Sequence, residues 1–89
     1  MAVYLIGYDL KAPGRNYDDL YLAIKSLGSW CKPLDSEWLV DTTKNATVIH
    51  SVLKPKLDAN DLILINKFSG DYFGTLSPAI WTWLKEHLT

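Results

Sequence analysis

The clearest indication of the fold is the segment Ser29-Trp-Cys-Lys-Pro-Leu-Asp-Ser-Glu-Trp-Leu-Val-Asp-Thr42. Two short runs rich in strand-forming residues, Ser29–Leu34 and Glu37–Thr42, flank the turn pair Asp35-Ser36, and this pattern predicts a β-hairpin. Pro33 has no backbone N–H to donate to a neighbouring strand, so it predicts a sheet edge or a bulge in the first run.

Upstream of the hairpin, apolar side chains recur with the spacing of a one-sided helix. Asn16 is a good N-cap, and Gly28 is the expected stop. The helix is predicted to bury five side chains: Tyr17, Leu20, Tyr21, Ile24 and Leu27.

Downstream, Thr43 or Asn45 is expected to cap a second helix. Pro55 should kink this helix or end it early, because proline removes an interior hydrogen bond. Its predicted apolar face consists of Val48, Ile49, Val52, Leu53 and Leu57.

Two more apolar runs lie outside these helices. Ala2–Tyr8, ended by Asp9, is almost continuously apolar, which favours a central strand covered on both faces or along most of its length. Leu62–Ile65, running on to Phe68, predicts a second strand of this kind. The expected buried core includes Leu5, Ile24, Leu53 and Ile63.

The order of elements predicts an α+β, ferredoxin-like β-α-β-β-α-β domain with a four-stranded antiparallel sheet and both long helices on one face. Residues 1–68 form this unit, and residues 69–89 add a loop and a C-terminal helix that starts at Ser77-Pro78. The chain of 89 residues is expected to be a single domain.

Composition and charge argue against several classes of function. The net charge of −1 and the pI of about 6.0 are weak arguments against a general nucleic-acid binder. The first residues have no basic segment, and no apolar run approaches the roughly 20 residues that span a bilayer, so a cytoplasmic protein without membrane contact is expected. Cys31 is the single cysteine and is interpreted as a small buried hydrophobe.

Two motifs resemble a known family. Gly7-Tyr8-Asp9-Leu10 ends the first strand, and Leu34-Asp35-Ser36-Glu37-Trp38-Leu39 opens the third. Both are similar to the small ferredoxin-like CRISPR-associated endoribonucleases that serve spacer integration. The chain resembles still more closely their distant relatives, the short bacterial and phage proteins described as SinR-like; VapD toxins share the fold. The resemblance covers residues 2–68 and not the last helix.

The resemblance implies a metal-dependent nuclease. In the family, the acid that ends the first strand meets its symmetry mate in a homodimer, and the two carboxylates hold a divalent cation. Asp9 is the matching catalytic and metal-binding residue, and Mg²⁺ or Mn²⁺ is the implied cofactor. Lys11, Arg15 and Ser36 are the candidate nucleic-acid contacts.

Other functions stay open. The first loop is less basic than is typical of the family, which favours a phage- or plasmid-borne inhibitor or regulator that kept the fold and lost the metal site. A binder of a small ligand, with a pocket at the dimer seam or under the last helix, is a third option.

Aromatic content favours self-association. Four Trp, five Tyr and two Phe are more than the interior of so small a domain is expected to hold. Trp81 and Trp83 lie about 200° apart on the last helix and are not expected to face one core. The predicted dimer interface comprises Tyr72, Phe73, Trp81 and Trp83. His50 and His87 are interpreted as surface or boundary residues.

Overall fold

The computed structural model describes residues 1–88, which form an α+β unit with one four-stranded antiparallel sheet and three α-helices. In chain order, the elements are β1 (Ala2–Asp9), α1 (Asp18–Lys25), β2 (Ser29–Leu34), β3 (Glu37–Thr42), α2 (Ala46–Leu53), a 3₁₀ turn (Lys54–Lys56), β4 (Leu62–Lys67) and α3 (Pro78–His87). The predicted order of helices and strands is therefore confirmed. Within the described residues, no helix is long and apolar enough to cross a membrane.

The strands lie in the order β2-β3-β1-β4. The central position predicted for β1 is confirmed, because Ile6 pairs with Trp38 of β3 on one side and with Ile65 of β4 on the other. Pro33 lies in the edge strand β2, where the register with β3 shifts between Cys31 and Leu34. The edge or bulge predicted from this proline is confirmed.

The sheet is covered by different helices on its two faces. On one face, α1 and α2 bury Leu20, Ile24, Ile49 and Leu53 against Ile6 and its neighbours. On the other face, α3 forms a second, smaller core that contains Val3, Cys31, Leu39, Ile80 and Leu84. Because side chains alternate between the two faces along β1, this strand contributes residues to both cores.

The helix ends follow local chemistry. Asn45 caps α2, since its side-chain oxygen accepts a hydrogen bond of 2.9 Å from the Val48 backbone N–H. The side-chain oxygen of Asn16 likewise accepts a hydrogen bond of 2.8 Å from the Asp18 backbone N–H. Asn16 lies one residue before Tyr17, the observed N-cap of α1. Pro55 lies in the 3₁₀ turn that follows α2, which confirms its predicted effect.

Parts of the predicted core are wrong. Ile24 and Leu53 are fully buried, but Leu5 and Ile63 are only partly buried. Val48 was placed on the buried face of α2 and is 41% exposed, because that helix turns Ile49 and Leu53 towards the sheet.

The second apolar strand, β4, is an edge strand rather than a covered one. Leu62 and Leu64 are 60% and 71% exposed. The buried residues of α3 contact side chains of β1, β2 and β3, so this helix leaves the outer face of β4 uncovered.

Gly28 gives a test of the packing between α1 and the hairpin. A Cβ atom at this position would lie 2.1 Å from the backbone oxygen of Asp41, so backbone must move to admit it. We expect Gly28→Ala to lower the free energy of unfolding by about 1–3 kcal/mol, measured by urea denaturation. Gly74→Ala is the control, since nothing lies within 4 Å of the added atom. Equal stability of the two variants would contradict the predicted clash.

Candidate metal and nucleic-acid site

Asp9 is the last residue of β1 and pairs in register with Leu62 of β4. Its carboxylate is largely exposed, and Oδ2 lies 3.0 Å from the ammonium nitrogen of Lys11. An exposed pair of this kind is weak. Asp9 thus presents its carboxylate to solvent at the end of β1.

The loop between β1 and α1 is held in place by Asp61. One carboxylate oxygen of Asp61 accepts a hydrogen bond of 2.6 Å from the Lys11 backbone N–H, and the other accepts one of 2.7 Å from the Asp58 N–H. The Tyr17 hydroxyl donates to both oxygens at 2.8 and 2.9 Å. This network fixes the backbone that carries Lys11 beside Asp9.

The same network shifts the pKa values of its members. Burial, followed by the hydrogen bond to Asp61, raises the pKa of Tyr17. Burial would also raise the pKa of Asp61, but the N–H groups of Lys11 and Asp58 and the Tyr17 hydroxyl outweigh it and leave the pKa below its ordinary value of 3.8. Asp61 is accordingly a structural carboxylate that stays ionised.

Removing the Asp61 carboxylate should destabilise the fold, and the size of the effect should depend on pH. Because folding lowers the pKa of Asp61, its stabilising contribution is fully present above 3.8 and is lost as the pH falls through the folded value. We expect Asp61→Ala to lower the thermal midpoint at pH 7 and to reduce the loss of stability on acidification. Asp71→Ala, in an exposed loop, is the control. Midpoints that match the parent chain at both neutral and acidic pH would contradict this role.

The Arg15 side chain contacts residues other than Asp9. Its guanidinium donates to the Lys56 carbonyl at 2.9 Å, lies 3.3 Å from the Asp58 carboxylate and stands over the Tyr17 ring at 5.1 Å. These contacts join the loop after β1 to the segment before β4. Arg15 is therefore built into the fold on the side of Asp58 rather than beside Asp9.

Ser36 lies at the same end of the sheet as Asp9. The turn that carries it is tied to β1, because the Ser36 carbonyl accepts a hydrogen bond of 3.1 Å from the Tyr8 N–H. An open depression of about 330 Å³ at this end of the sheet is lined by Gly7, Tyr8, Asp9, Ser36, Glu37, Leu62, Ile63 and Leu64. Asp9 and Ser36 thus share one surface, together with the exposed leucines of β4.

Asp9 is not part of a cluster of potential metal ligands within the described residues. Among residues 1–88, no group of three or more His, Cys, Asp or Glu side chains is arranged to hold a cation. Glu37 lines the same depression as Asp9, and Lys11 pairs with the Asp9 carboxylate. A metal at Asp9 therefore needs further oxygen ligands from a second chain, from water or from a phosphate.

The loop before α3 carries the most exposed aromatic side chain. Phe73 is 95% exposed, and its ring lies 5.9 Å from that of Trp81. Tyr72 contacts Phe68 at 4.8 Å between ring centres. These rings and Glu37 line an apolar cavity of about 270 Å³ between the loop and the sheet, so the loop adjoins the depression at Asp9.

Trp81 and Trp83 pack against the same small core, although they lie on different sides of α3. The expectation that they cannot face one core is wrong, because long indole rings reach the sheet from both flanks of a helix that lies on it. Both are partly buried. The indole N–H of Trp83 is buried and has no hydrogen-bond partner among residues 1–88.

His87 is more constrained than the sequence indicates. Its Nδ1 lies 2.7 Å from Oδ2 of Asp41, and its Nε2 lies 3.3 Å from the Ser29 hydroxyl. The hairpin register predicts that Ser29 and Asp41 are neighbours, but no pattern in the sequence places the end of α3 above them. Cys31 is buried as expected, and burial raises the pKa of its thiol to about 11.

Comparison with protein-family models and with curated proteins finds no match for this chain.

Proposed function

We propose that this chain is a ferredoxin-like relative of the CRISPR-associated small nucleases, and that it acts as a homodimer which cleaves nucleic acid with a divalent cation held by two Asp9 carboxylates. The sheet order β2-β3-β1-β4, with α1 and α2 on one face, supports the ferredoxin-like assignment. It is the order that arises when two β-α-β units interleave in one antiparallel sheet.

One observation carries the proposal: Asp9 and Ser36 line the same depression as Leu62 and Leu64. We call the surface formed by Gly7, Asp9, Glu37, Leu62 and Leu64 the open face. These residues are cross-strand neighbours in the sheet register, so their side chains project from one side. The carboxylate proposed to bind the cation and an apolar contact surface would therefore coincide at Asp9.

The open face supports association with a second copy. Two large aliphatic side chains that are more than half exposed beside a Gly are unusual on a lone edge strand, which natural proteins protect from unwanted pairing. In a dimer with two-fold symmetry, the same patch meets itself. A two-fold axis next to Asp9 would bring the two carboxylates together at the end of the seam.

The chemistry of such a pair is simple. Mg²⁺ and Mn²⁺ bind oxygen ligands, and a site with two carboxylates leaves positions for water and for a phosphate oxygen. The cation would polarise the phosphorus centre and lower the pKa of a bound water. Lys11, released from Asp9, would then face the negative phosphate, and the Ser36 hydroxyl would offer a hydrogen bond.

The aromatic loop would extend this interface. Tyr72 and Phe73 lie beside Glu37, at the border of the open face. Stable interfaces bury about 1,200–2,000 Å² in total. The open face alone is small, so we propose that this loop and the outer sides of Trp81 and Trp83 contribute to the contact.

A second function is favoured by the pairing of the basic residues. Lys11 contacts Asp9, and Arg15 contacts Asp58, so both cations already have a carboxylate partner in the isolated chain. The same open face would then serve a non-enzymatic inhibitor or regulator that binds another protein. This alternative keeps the fold and assigns no chemistry to Asp9.

A cleavage assay separates the two functions. Purified chain is incubated with single-stranded and duplex DNA and RNA, with Mg²⁺, with Mn²⁺ or with a chelator, over a range of pH. Cleavage that requires a divalent cation supports the nuclease. If protein of verified fold and dimeric mass cleaves none of the substrates in any metal, the nuclease proposal is wrong and the interaction protein remains.

Leu64→Lys tests the proposed seam. A lysine in the middle of the open face places a charge opposite its own symmetry mate, so we expect the dimer dissociation constant to rise about a hundredfold or more. Leu22→Lys is the matched control, since Leu22 is 63% exposed on α1, on the opposite side of the sheet. Analytical ultracentrifugation measures both variants. An unchanged dissociation constant for Leu64→Lys would place the interface elsewhere.

A further inference from the structure

Three side chains at the other end of the sheet from Asp9 form a hydrogen-bonded chain. The Ser29 hydroxyl lies 3.3 Å from Nε2 of His87, and Nδ1 of the same ring lies 2.7 Å from Oδ2 of Asp41. Asp41 pairs with Val3 near the start of β1, whereas Asp9 is the last residue of that strand. The cluster is therefore separate from the site proposed for metal.

The fold holds each member of this cluster in position. Ser29 and Asp41 are directly opposed on β2 and β3, so the sheet fixes their separation. His87 is the last residue of α3, and its ring stacks on Trp83 with 4.1 Å between ring centres and 24° between planes. The imidazole is thus oriented by a carboxylate on one edge and by an indole on one face.

Exposure increases from the carboxylate to the imidazole to the hydroxyl, which suits a buried orienting acid and an accessible nucleophile. The Asp41 side chain is only 13% exposed and the His87 side chain 22%, whereas Ser29 is exposed. With Nδ1–H donating to the buried carboxylate, Nε2 keeps its lone pair for the serine proton. This is the arrangement of nucleophile, base and orienting acid that recurs on unrelated folds.

Space for a small substrate adjoins the histidine. A cavity of about 380 Å³ has His87 in its wall, within the volume range of small-molecule sites, while Ser29 lies outside its lining. Its lining is mixed, with apolar side chains from β1 and the segment after β4 and one lysine. The lining side chains include Met1, Val3, Lys67, Phe68, Tyr72 and Leu88.

We propose that Ser29 and His87 are the catalytic residues of a second, hydrolytic site for small carboxylic esters, and that Asp41 is the positioning residue that orients His87. The inference does not depend on the metal site. A Ser-His-Asp cluster that only clamps α3 to the sheet would stabilise the fold without reacting.

The reaction consumes one ester and one water. Ser29 Oγ bonds to the ester carbonyl carbon while its proton passes to His87 Nε2. The bond from that carbon to the alcohol oxygen breaks, and the alcohol leaves with the proton. Water then attacks the acyl-serine, gives a proton to His87, and releases the acid as Ser29 recovers its hydrogen.

Covalent labelling is the direct test. A fluorophosphonate probe reacts with serine only when a base activates the hydroxyl, and intact-mass and peptide analysis locates the adduct. We expect one adduct, on Ser29, with no adduct in Ser29→Ala and a labelling rate at least tenfold lower in His87→Gln. Ser51→Ala, which alters an exposed serine of α2, should label like the parent chain.

Hydrolysis of p-nitrophenyl acetate and butyrate by the full chain gives a second readout. Ser29 is exposed, so Ser29→Ala should retain the parent thermal midpoint and lose the esterase rate. Asp41→Asn keeps the shape and should lower kcat about tenfold or more with little change in KM. Absence of a Ser29 adduct, or labelling that is equal in His87→Gln, would overturn the proposal and leave the cluster as a clamp.

Discussion

Leu53→Ala should lower the free energy of unfolding by about 2–5 kcal/mol. Leu53 is fully buried at the end of α2, where the helix meets Ile6 and Ile24 in the larger core. Truncation removes three carbons from a site enclosed by two helices and the sheet, so little of the cavity can collapse. Small domains have a total stability of only about 5–15 kcal/mol, and this single change removes much of it.

Urea denaturation of the parent chain and the variant measures this loss. Val48→Ala is the control on the same helix, because Val48 is 41% exposed and should change the stability by no more than about 0.5 kcal/mol. Ile24→Ala, at the matching position of α1, should behave like Leu53→Ala. If Leu53→Ala were no less stable than Val48→Ala, the assignment of the larger core would be wrong.

Asp9→Asn should abolish metal-dependent cleavage of nucleic acid. The substitution keeps the shape of the side chain but removes the negative charge from both halves of the proposed cation site, so a dimer loses two charges at once. We expect cleavage to fall below detection while the thermal midpoint changes little, since the Asp9 side chain is exposed and its contact with Lys11 is a surface ion pair.

Asp19→Asn is the matched control for this charge. Asp19 is an exposed carboxylate in the first turn of α1, so the substitution changes net charge equally without touching the open face. Cleavage by Asp19→Asn should equal that of the parent chain. Activity that persists in Asp9→Asn would exclude the proposed metal ligand and would assign the observed cleavage to another site or to a contaminant.

The fold was largely predictable because its signals are local. The hairpin Ser29–Thr42 and the order of the flanking elements follow from spacing, turn residues and proline. The exposure of β4 was not predictable in this way. Leu62 and Leu64 have the same apolar character as the residues of β1, and only the position of α3 over the other strands shows that no helix of the chain covers them.

The positions of some residues of the candidate site also follow from local signals, and those of others do not. Asp9 ends β1 and Ser36 lies in the turn just before β3, and the pairing of these two strands brings both residues to one depression. Arg15 was expected beside them, but it bonds to Lys56 and Asp58, whose proximity depends on how the turn before β4 packs. His87 was missed for a similar reason, since its partners are 46 and 58 residues away in the chain.

Sedimentation equilibrium of the parent chain at micromolar concentration measures whether the proposed dimer forms. The proposed metal site uses one Asp9 from each of two chains, and the open face of β4 is proposed to join them. We expect a mass of twice the 10.1 kDa of one chain, and we expect Leu64→Lys to dissociate the dimer. A mass of 10.1 kDa for the parent chain at micromolar concentration would contradict the dimer and, with it, a cation held by two Asp9 carboxylates.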